Sequence, residues 1–382
     1  MGNESLFKKG VNRKKTNCYK WQGENVNYSF SIADSDYETC LEIKKALMDK
    51  IQSGIIGYDY VDLSFYDHFS KWCKKRYHYE IKNDQIVSTP GVVNSLYFII
   101  SMFSKENDAV VINTPVYNPF YDVVIANNRK LLINKMKRYE INENEFSYKF
   151  DFVDLEEKIK EAKIYILCNP HNPIGRCYTM DELKRIVELC KKYDTILVSD
   201  EIHCDIIMNG NIFTSAANFL KEYQNIIITT AISKTFNLAG LFFSNIIFGN
   251  DEMKKTFEEK YHQMSITTNT LGAIAAEVAY TKCAKYVDEQ NNYLTENKQI
   301  ILDFVKEQNI KMAKLEGTYL VWLDLTKLNL SQEELMDKLS KLGIKLNSGT
   351  IYDKDAVGYV RFNIACGRQL LIDGLNELRK IL

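Results

Sequence analysis

The sequence predicts an α/β protein with a large domain built around a mostly parallel sheet and a smaller α+β domain. Two observations lead to this prediction. From about residue 80 to residue 250, short apolar runs alternate with amphipathic segments of helical length, which is typical of parallel strands joined by crossover helices. After about residue 270 the alternation ends, and a long helical stretch is followed by short, separate apolar runs.

The elements of the first part can be assigned in order. A helix is predicted over residues 92–104, and another begins near Thr179, because Thr179 and Glu182 have the spacing of a capping box. Apolar residues then recur at helical intervals as far as Tyr193. The predicted strands are Ala109–Asn113, Lys130–Asn134, Lys163–Cys168, Thr195–Ser199, Ile226–Thr230 and Ser244–Phe248.

The second part is predicted to contain a long helix over Gly272–Glu307 and a final helix from Gln369. Its apolar runs lie within Gly317–Leu325, Gly343–Asn347 and Tyr359–Ile364.

Composition restricts the classes of partner. The 382 residues include 49 basic and 50 acidic side chains, a net charge of −1, which favours neither nucleic acid nor an anionic membrane surface. Residues 1–20 are polar and basic, and no later run approaches the ~20 apolar residues of a membrane span. The nine dispersed cysteines form no Cys-x-x-Cys pair, which is typical of a reduced protein. We therefore expect a cytoplasmic protein with a small-molecule partner.

The five prolines cluster in one region. All of them lie between residues 90 and 173, in loops that follow predicted strands. Ligands of open α/β sheets bind outside the carboxyl ends of the strands, so rigid turns there indicate a preorganised site. The alternative is that a proline-poor chain keeps prolines only where turns require them.

Three polar side chains occupy the same kind of position. Asp200, Lys234 and Asn172 each follow a different predicted strand. The loop Ser-Lys-Thr-Phe-Asn-Leu-Ala-Gly-Leu around Lys234 is too apolar for an ordinary solvated lysine, and a desolvated lysine is a usable nucleophile and base. Alone, each residue has a simpler interpretation, since Asp200 can be a helix cap and Asn172 part of an Asn-Pro turn.

Two further features suit a phosphate and an aromatic ring. The turn formed by Gly91, Val92 and Val93 opens the predicted helix, whose free backbone N–H groups can bind a phosphate. Tyr117, in a proline-rich turn, is placed to stack on a ring. Any strand-to-helix turn offers such N–H groups, and an aromatic residue in a turn often only packs, so both alternatives stay open.

These residues occur in the order found in a known family. The chain resembles the fold-type I aminotransferases and, within them, the cystathionine β-lyase-like carbon–sulfur lyases. Two details indicate the lyase-like branch: His203 stands where many aminotransferases have tyrosine, and the lysine loop has that branch's form. The resemblance runs from about residue 13 to residue 382 and is densest in Phe30–Tyr37, Gly57–Tyr58, Thr89–Val93, Pro115–Tyr117, Asn169–Gly175, Ser199–His203, Ser233–Leu241, Glu316–Leu325 and Val360–Asn363.

The resemblance implies a fold like that of aspartate aminotransferase, with pyridoxal 5′-phosphate as the cofactor. The large domain, with a seven-stranded sheet, is expected over residues 46–275, and residues 1–45 and 276–382 are expected to form the small domain. Lys234 is expected to carry the cofactor, and Lys234 and Tyr117 to be catalytic. The cofactor-binding residues that the resemblance implies are Lys234, Asp200, Asn172, His203, Tyr117, Gly91, Val92, Val93, Ser233 and Tyr58.

Substrate binding is expected at Arg361, Asn172 and Ala33. Arg361 lies on an apolar predicted strand, where an unpaired guanidinium is unfavourable to bury, and it resembles the family arginine that binds the substrate α-carboxylate. A structural ion pair is the alternative for Arg361. Tyr58 matches a tyrosine that reaches the cofactor of the neighbouring subunit, which implies a homodimer with shared active sites.

The chain also departs from the family. Phe242 stands where an arginine usually binds the cofactor phosphate, so Ser233 and backbone N–H groups are left for that role. Segments 31–37 and 349–358, which border the substrate side-chain pocket, differ from the common family pattern. No metal site is expected, since His203 has no second His or Cys at ligand spacing.

The predicted reaction is β-elimination from L-cystathionine or a related cysteine S-conjugate, which yields a thiol, pyruvate and ammonia. The alternative is transamination of an L-amino acid, for which the same residues are needed. A cofactor-bearing regulatory protein with vestigial catalysis is a third and more distant alternative.

Overall fold

The computed structural model describes residues 7–8 and 10–382 of the chain. Residues 1–6 and 9, which belong to the predicted small domain, lie outside this described part. The strands of the described part are β1 Tyr28–Ser29, β2 Ile86–Thr89, β3 Ala109–Thr114, β4 Lys130–Lys135, β5 Lys137–Glu140, β6 Glu145–Lys149, β7 Ala162–Cys168, β8 Ile196–Asp200, β9 Ile226–Ala231, β10 Ser244–Phe248, β11 Lys311–Ala313, β12 Leu320–Asp324, β13 Ile344–Lys345, β14 Asn347–Ser348 and β15 Tyr359–Asn363.

Helices cover both sheets and join them. They are Leu41–Gln52, Leu63–Tyr77, Val92–Phe103, Pro119–Ala126, Phe152–Glu161, Met180–Tyr193, Ile232–Thr235, Asp251–Gln263, Thr270–Lys282, Ala284–Glu307, Gln332–Lys341 and Arg368–Leu378. No helix of the described part is both long enough and apolar enough to cross a membrane.

A seven-stranded sheet forms the centre of the molecule, with the strand order β2-β10-β9-β8-β7-β3-β4. The pairs from β9 to β4 are parallel, and β10 is antiparallel to both of its neighbours. Alternate residues of β7 face opposite sides, since Tyr165 and Leu167 join one apolar cluster while Ile164 and Ile166 join the other. The predicted α/β architecture with a mostly parallel sheet is confirmed.

Local signals fixed the helix that follows β7. The Thr179 hydroxyl accepts the N–H of Glu182, and the Glu182 carboxylate accepts the N–H of Thr179 in return, which is the predicted capping box. The helix ends at Tyr193, and Asp194 in the left-handed region (φ 53°) terminates it. Its buried face includes Leu183 and Ile186, at the predicted helical spacing.

A second sheet has the order β14-β15-β12-β11-β6-β5. Its hairpin β5–β6 comes from the middle of the chain, where β6 pairs in parallel with β11. The hairpin lies within residues 46–275, so the chain leaves the central sheet and returns to it in that range. The exact division of the chain into two domains stays a prediction.

The predicted long helix over Gly272–Glu307 is two helices. They meet at Cys283, whose φ of −105° and ψ of 20° are not helical, so this residue ends the first helix and begins the second. A β-strand, β2, was also absent from the predictions, because its four residues are too few to show a period.

The central sheet brings the ends of three strands to one level. Cys168 at the end of β7 pairs with Asp200 at the end of β8, and Asp200 pairs with Thr229 of β9. The predicted strand ended at Ser199, one residue before Asp200. In the structure Asp200 is itself the last residue of β8. The loops that follow these strands carry Asn172 and Lys234, so the fold brings the predicted polar groups together.

Candidate active site

A cavity of about 340 Å³ lies at the carboxyl ends of the central strands. Two of the twelve predicted site residues do not line it: Arg361 lies behind Asn172, and Tyr58 lies elsewhere on the surface. The predicted residues that do line it are Ala33, Gly91, Val92, Val93, Tyr117, Asn172, Asp200, His203, Ser233 and Lys234.

Lys234 lies on a short helical turn, Ile232–Thr235, directly after β9. Its Nζ donates a hydrogen bond to the Ala33 carbonyl oxygen at 2.7 Å, and no carboxylate of the described residues lies within ion-pair distance. Burial, with a smaller effect from the positive charge of Arg361, lowers the pKa of Lys234 to about 8. A substantial fraction of the amine is therefore neutral near physiological pH and able to act as a nucleophile or base.

Asp200 is buried, and one carboxylate oxygen accepts the backbone N–H of Ile202 at 3.1 Å. Burial raises the pKa of this carboxyl to about 7, against the opposing effects of that hydrogen bond and of the Lys234 charge. A buried carboxyl without a cationic partner in contact suits a group that brings its own proton or positive charge, such as a pyridine nitrogen.

Arg361 on β15 is 2% exposed and forms no ion pair with any carboxylate of the described residues. One terminal nitrogen donates to the Asn172 side-chain oxygen at 3.1 Å, and the other donates to the Ser31 carbonyl oxygen at 2.9 Å. The guanidinium lies 5.1 Å from the Tyr352 ring centroid, and its Nε has no partner. A buried cation with an unused donor is unfavourable unless an anion joins it, which fits a substrate carboxylate.

His203 and Tyr117 supply rings to the cavity wall. His203 is buried, its Nδ1 has no hydrogen-bond partner in the part of the chain that the structure describes, and its ring meets Tyr319 edge-on at 6.0 Å. Burial, with the nearby charges of Lys234 and Arg361, lowers the pKa of His203 well below its usual value, so the imidazole is neutral. The Tyr117 backbone N–H donates to the Asn172 carbonyl oxygen at 3.1 Å, which ties the aromatic residue to the asparagine loop.

One end of the cavity has the form of an anion site. Gly91 adopts a φ of 105°, which few side-chain-bearing residues adopt, and the helix Val92–Phe103 starts after it. The N–H groups of its first turn have no intrahelical partner, and Val92 and Val93 line the cavity together with Ser233. Phe242, which the sequence places where the family usually has a phosphate-binding arginine, lines the cavity as well.

Several residues of the site were not predicted. Tyr319 donates its hydroxyl to the Ala33 carbonyl oxygen at 3.0 Å, beside the bond from Lys234. Tyr352 packs on Arg361, and Asn94 lines the phosphate end. Tyr319 lies in a segment of dense resemblance, but Tyr352 and Asn94 carry no sequence signal of their own, since only the fold brings them to the cavity.

The family can now be assigned. The profile of the family described as "Aminotransferase class I and II" matches residues 28–375. The chain belongs to this family, as its fold and the composition of the cavity wall also indicate.

Individual relatives narrow the assignment. The chain is 32% identical to cystathionine beta-lyase PatB of Bacillus subtilis (strain 168), over 98% of this chain and 99% of that protein. Cystalysin from Treponema denticola, whose crystal structure contains a pyridoxal 5′-phosphate cofactor, matches with a TM-score of 0.92 and 31% identity over 98% of each chain. A C-S lyase from Staphylococcus hominis, also bound to this cofactor, matches with a TM-score of 0.90 and 28% identity over 98% of each chain. These matches confirm the resemblance to the carbon–sulfur lyase branch.

Proposed function

We propose that this chain is a pyridoxal 5′-phosphate-dependent carbon–sulfur β-lyase. Its substrate is L-cystathionine or a related cysteine S-conjugate. Elimination releases a thiol and aminoacrylate, and aminoacrylate takes up one water to give pyruvate and ammonia. The observation that carries the proposal is the buried Arg361 guanidinium, which has no carboxylate partner among residues 7–8 and 10–382. It lies behind a cavity that contains a lysine of pKa about 8. The names of the relatives support the same reaction class.

The cavity wall fits the cofactor. Lys234 supplies the amine that binds the aldehyde, Asp200 the partner of the pyridine nitrogen, and Tyr117 a ring for stacking. His203 and Asn172 line the same cavity and are the side chains beside the space that the cofactor ring needs. When bound, pyridoxal 5′-phosphate withdraws electrons from the substrate Cα and so makes its proton acidic.

The chain's own groups then control position and proton transfer. Arg361 and Asn172 bind the substrate carboxylate, which fixes the Cα relative to Lys234. Lys234 removes the Cα proton, because burial lowers the pKa of its amine and so raises the fraction that is neutral at physiological pH. The sulfur leaves as a thiolate, for which no strong acid is needed since thiols have pKa values of about 8.5.

Transamination is the second candidate function, because the matching family is that of class I and II aminotransferases. It requires the same Lys234, Asp200 and Arg361, and it differs in where the proton removed from Cα is returned. Dependence on an added keto acid separates the two reactions, since β-elimination needs no amino-group acceptor.

The variant Lys234→Ala tests the assignment of the base. Release of thiol and pyruvate from L-cystathionine is expected to fall by about 10³-fold or more, which is within the usual range for loss of a catalytic acid–base group plus the cofactor link. Lys285→Ala is the matched control, because Lys285 is highly exposed on the helix Ala284–Glu307 and far along the chain from the site. Turnover by Lys234→Ala near that of the control would contradict the proposal.

We further propose that the active unit is a homodimer with shared active sites. Tyr58 is fully exposed, and a band of exposed apolar side chains surrounds it in sequence. Exposed apolar side chains concentrated in one chain segment are typical of a subunit interface. The members of this band are Leu41, Met48, Ile51, Ile55, Ile56, Tyr58, Tyr60 and Leu63.

Mixing two inactive variants tests the shared site. Lys234→Ala and Tyr58→Ala subunits, unfolded and refolded together, are expected to regain activity, because each mixed dimer contains one site with both residues intact. Random pairing limits the recovery to about a quarter of the sites. Activity no higher than the sum of the separate variants would contradict shared sites.

We also propose a cytoplasmic location, which the nine free cysteines support.

A further inference from the structure

A cluster of two thiols and a carboxylate lies away from the cavity wall. The ligand atoms of Cys40, Glu42 and Cys283 all lie within 4.8 Å of one another, and this is the group of potential metal ligands found in the described part of the chain. The Cys40 sulfur and a Glu42 carboxylate oxygen are 2.7 Å apart. Sequence spacing gives no sign of this cluster, because Cys40 and Cys283 meet only in the fold.

Local structure explains why the two sulfurs converge. Cys40 is the residue before the helix Leu41–Gln52, and Cys283 separates the helices Thr270–Lys282 and Ala284–Glu307. Neither side chain caps its helix by a hydrogen bond, and the Cys40 thiol donates instead within the cluster, to Glu42. Only the thiolate form of cysteine binds a metal ion, so a bound ion displaces both thiol protons.

Access and enclosure also suit a small ion. Both cysteines are 1% exposed, whereas Glu42 is exposed at the protein surface. The cluster is therefore closed by protein on its sulfur side and open to solvent on its carboxylate side, where a water molecule can complete a coordination shell.

We propose that Cys40, Cys283 and Glu42 form a binding site for a thiophilic divalent cation, with Zn²⁺ as the probe. Around tetrahedral zinc, with bonds of about 2.3 Å to sulfur and about 2.1 Å to oxygen, neighbouring ligand atoms are about 3.6–3.8 Å apart. All three ligand atoms lie within 4.8 Å of one another, so small side-chain rotations are enough to reach this geometry. Binding releases the two thiol protons to solvent, and water supplies the fourth ligand.

The ion would join two parts of the structure, one of which contributes to the active site. The segment that ends at Cys40 also contains Ala33, whose carbonyl binds Lys234. The Tyr286 hydroxyl, three residues after Cys283, donates to the Glu38 carbonyl oxygen at 2.9 Å and so already links the same two parts. Zinc at this site would strengthen that link, and its main effect is on stability rather than on the chemical step.

The test is zinc titration of the reduced protein with pyridoxal 5′-phosphate bound, in competition with a chromophoric chelator. We expect one equivalent of tight binding, which weakens by at least about 100-fold in Cys283→Ser and about 10-fold in Glu42→Gln. Cys18→Ser is the matched control, because Cys18 is outside the cluster and more exposed than the other eight cysteines. The unfolding temperature is expected to rise with zinc concentration in the wild type and in the Cys18→Ser control.

Cd²⁺ provides a readout that does not depend on a folded variant. Two bound thiolates give an intense sulfur-to-cadmium absorption in the wild-type protein, at one equivalent. The proposal is overturned if no such band appears, or if Cys283→Ser binds zinc like the control. It is also overturned if, under mild oxidation, Cys40 and Cys283 form a disulfide even when zinc is present.

Discussion

Replacement of Arg361 by lysine is the most informative single change. Lysine keeps the positive charge but lacks the planar fork, so it cannot bind a carboxylate through two parallel hydrogen bonds. In the structure, the same guanidinium is positioned by bonds to the Asn172 side chain and the Ser31 carbonyl, and by stacking on Tyr352. Arg361→Lys therefore removes one charged hydrogen bond to the substrate and loosens the geometry of the other.

The size of the effect follows from the bond that is lost. A hydrogen bond to a charged group contributes about 1.5–3 kcal/mol. At about 1.4 kcal/mol per factor of ten, kcat/KM is expected to fall by about 10- to 150-fold. Because the carboxylate is bound in the ground state and in the transition state alike, most of the loss is expected in KM.

Steady-state thiol release from L-cystathionine measures both constants. Arg379→Lys is the matched control, since Arg379 is about half exposed and pairs with Glu307 on the surface at 2.7 Å. The reasoning is refuted if Arg361→Lys has the KM of the control, or if kcat falls while KM is unchanged.

Three further predictions follow from the buried charges. Asp200→Asn is expected to retain the cofactor but lose about 100-fold or more in turnover in the thiol-release assay. Asp181 is exposed, so the control variant Asp181→Asn is expected to behave like the wild type. Cofactor uptake by the cofactor-free protein needs the neutral amine of Lys234, so stopped-flow absorbance should show a rate that rises with pH, has its midpoint near pH 8 and levels off at higher pH. A midpoint near the ordinary lysine pKa of about 10.4 would contradict the lowered pKa. Lys20→Met leaves Asp36 buried without its 2.8 Å partner. Urea denaturation is expected to show a free energy of unfolding about 3 kcal/mol lower, at the lower end of the usual range because Arg13 also contacts Asp36. A loss below about 1 kcal/mol would show that the pair is not a major stabilising contact.

Much of the central sheet was predictable because its signals are local. Six of its strands consist of apolar runs between turns, and the helix Met180–Tyr193 carries its own capping box. The hairpin β5–β6 was not predictable, since its residues are largely charged and its pairing with β11 depends on contacts distant in sequence. The break at Cys283 was also hidden, because no Gly or Pro near it marks a helix end in the sequence.

The candidate active site likewise contains residues whose convergence could be predicted from the sequence and residues whose contacts could not. Lys234, Asp200 and Asn172 follow strands of one parallel sheet, so their convergence could be inferred from the order of the strands. Tyr352 packs on Arg361, and Tyr319 donates to the Ala33 carbonyl oxygen. Both contacts join segments that are distant in sequence, so no local pattern predicts them. The walls of the substrate side-chain pocket also come from separate parts of the chain, so a local sequence pattern does not define its shape.

The most direct test of the proposed reaction is the product balance of the unmodified enzyme. Purified protein with pyridoxal 5′-phosphate is incubated with L-cystathionine in the absence of any keto acid, and free thiol and pyruvate are measured over many turnovers. A carbon–sulfur β-lyase forms the two products continuously in a one-to-one ratio. If thiol and pyruvate fail to appear, and turnover of amino acids begins only when a keto acid is added, the chain is an aminotransferase and the proposed elimination is wrong.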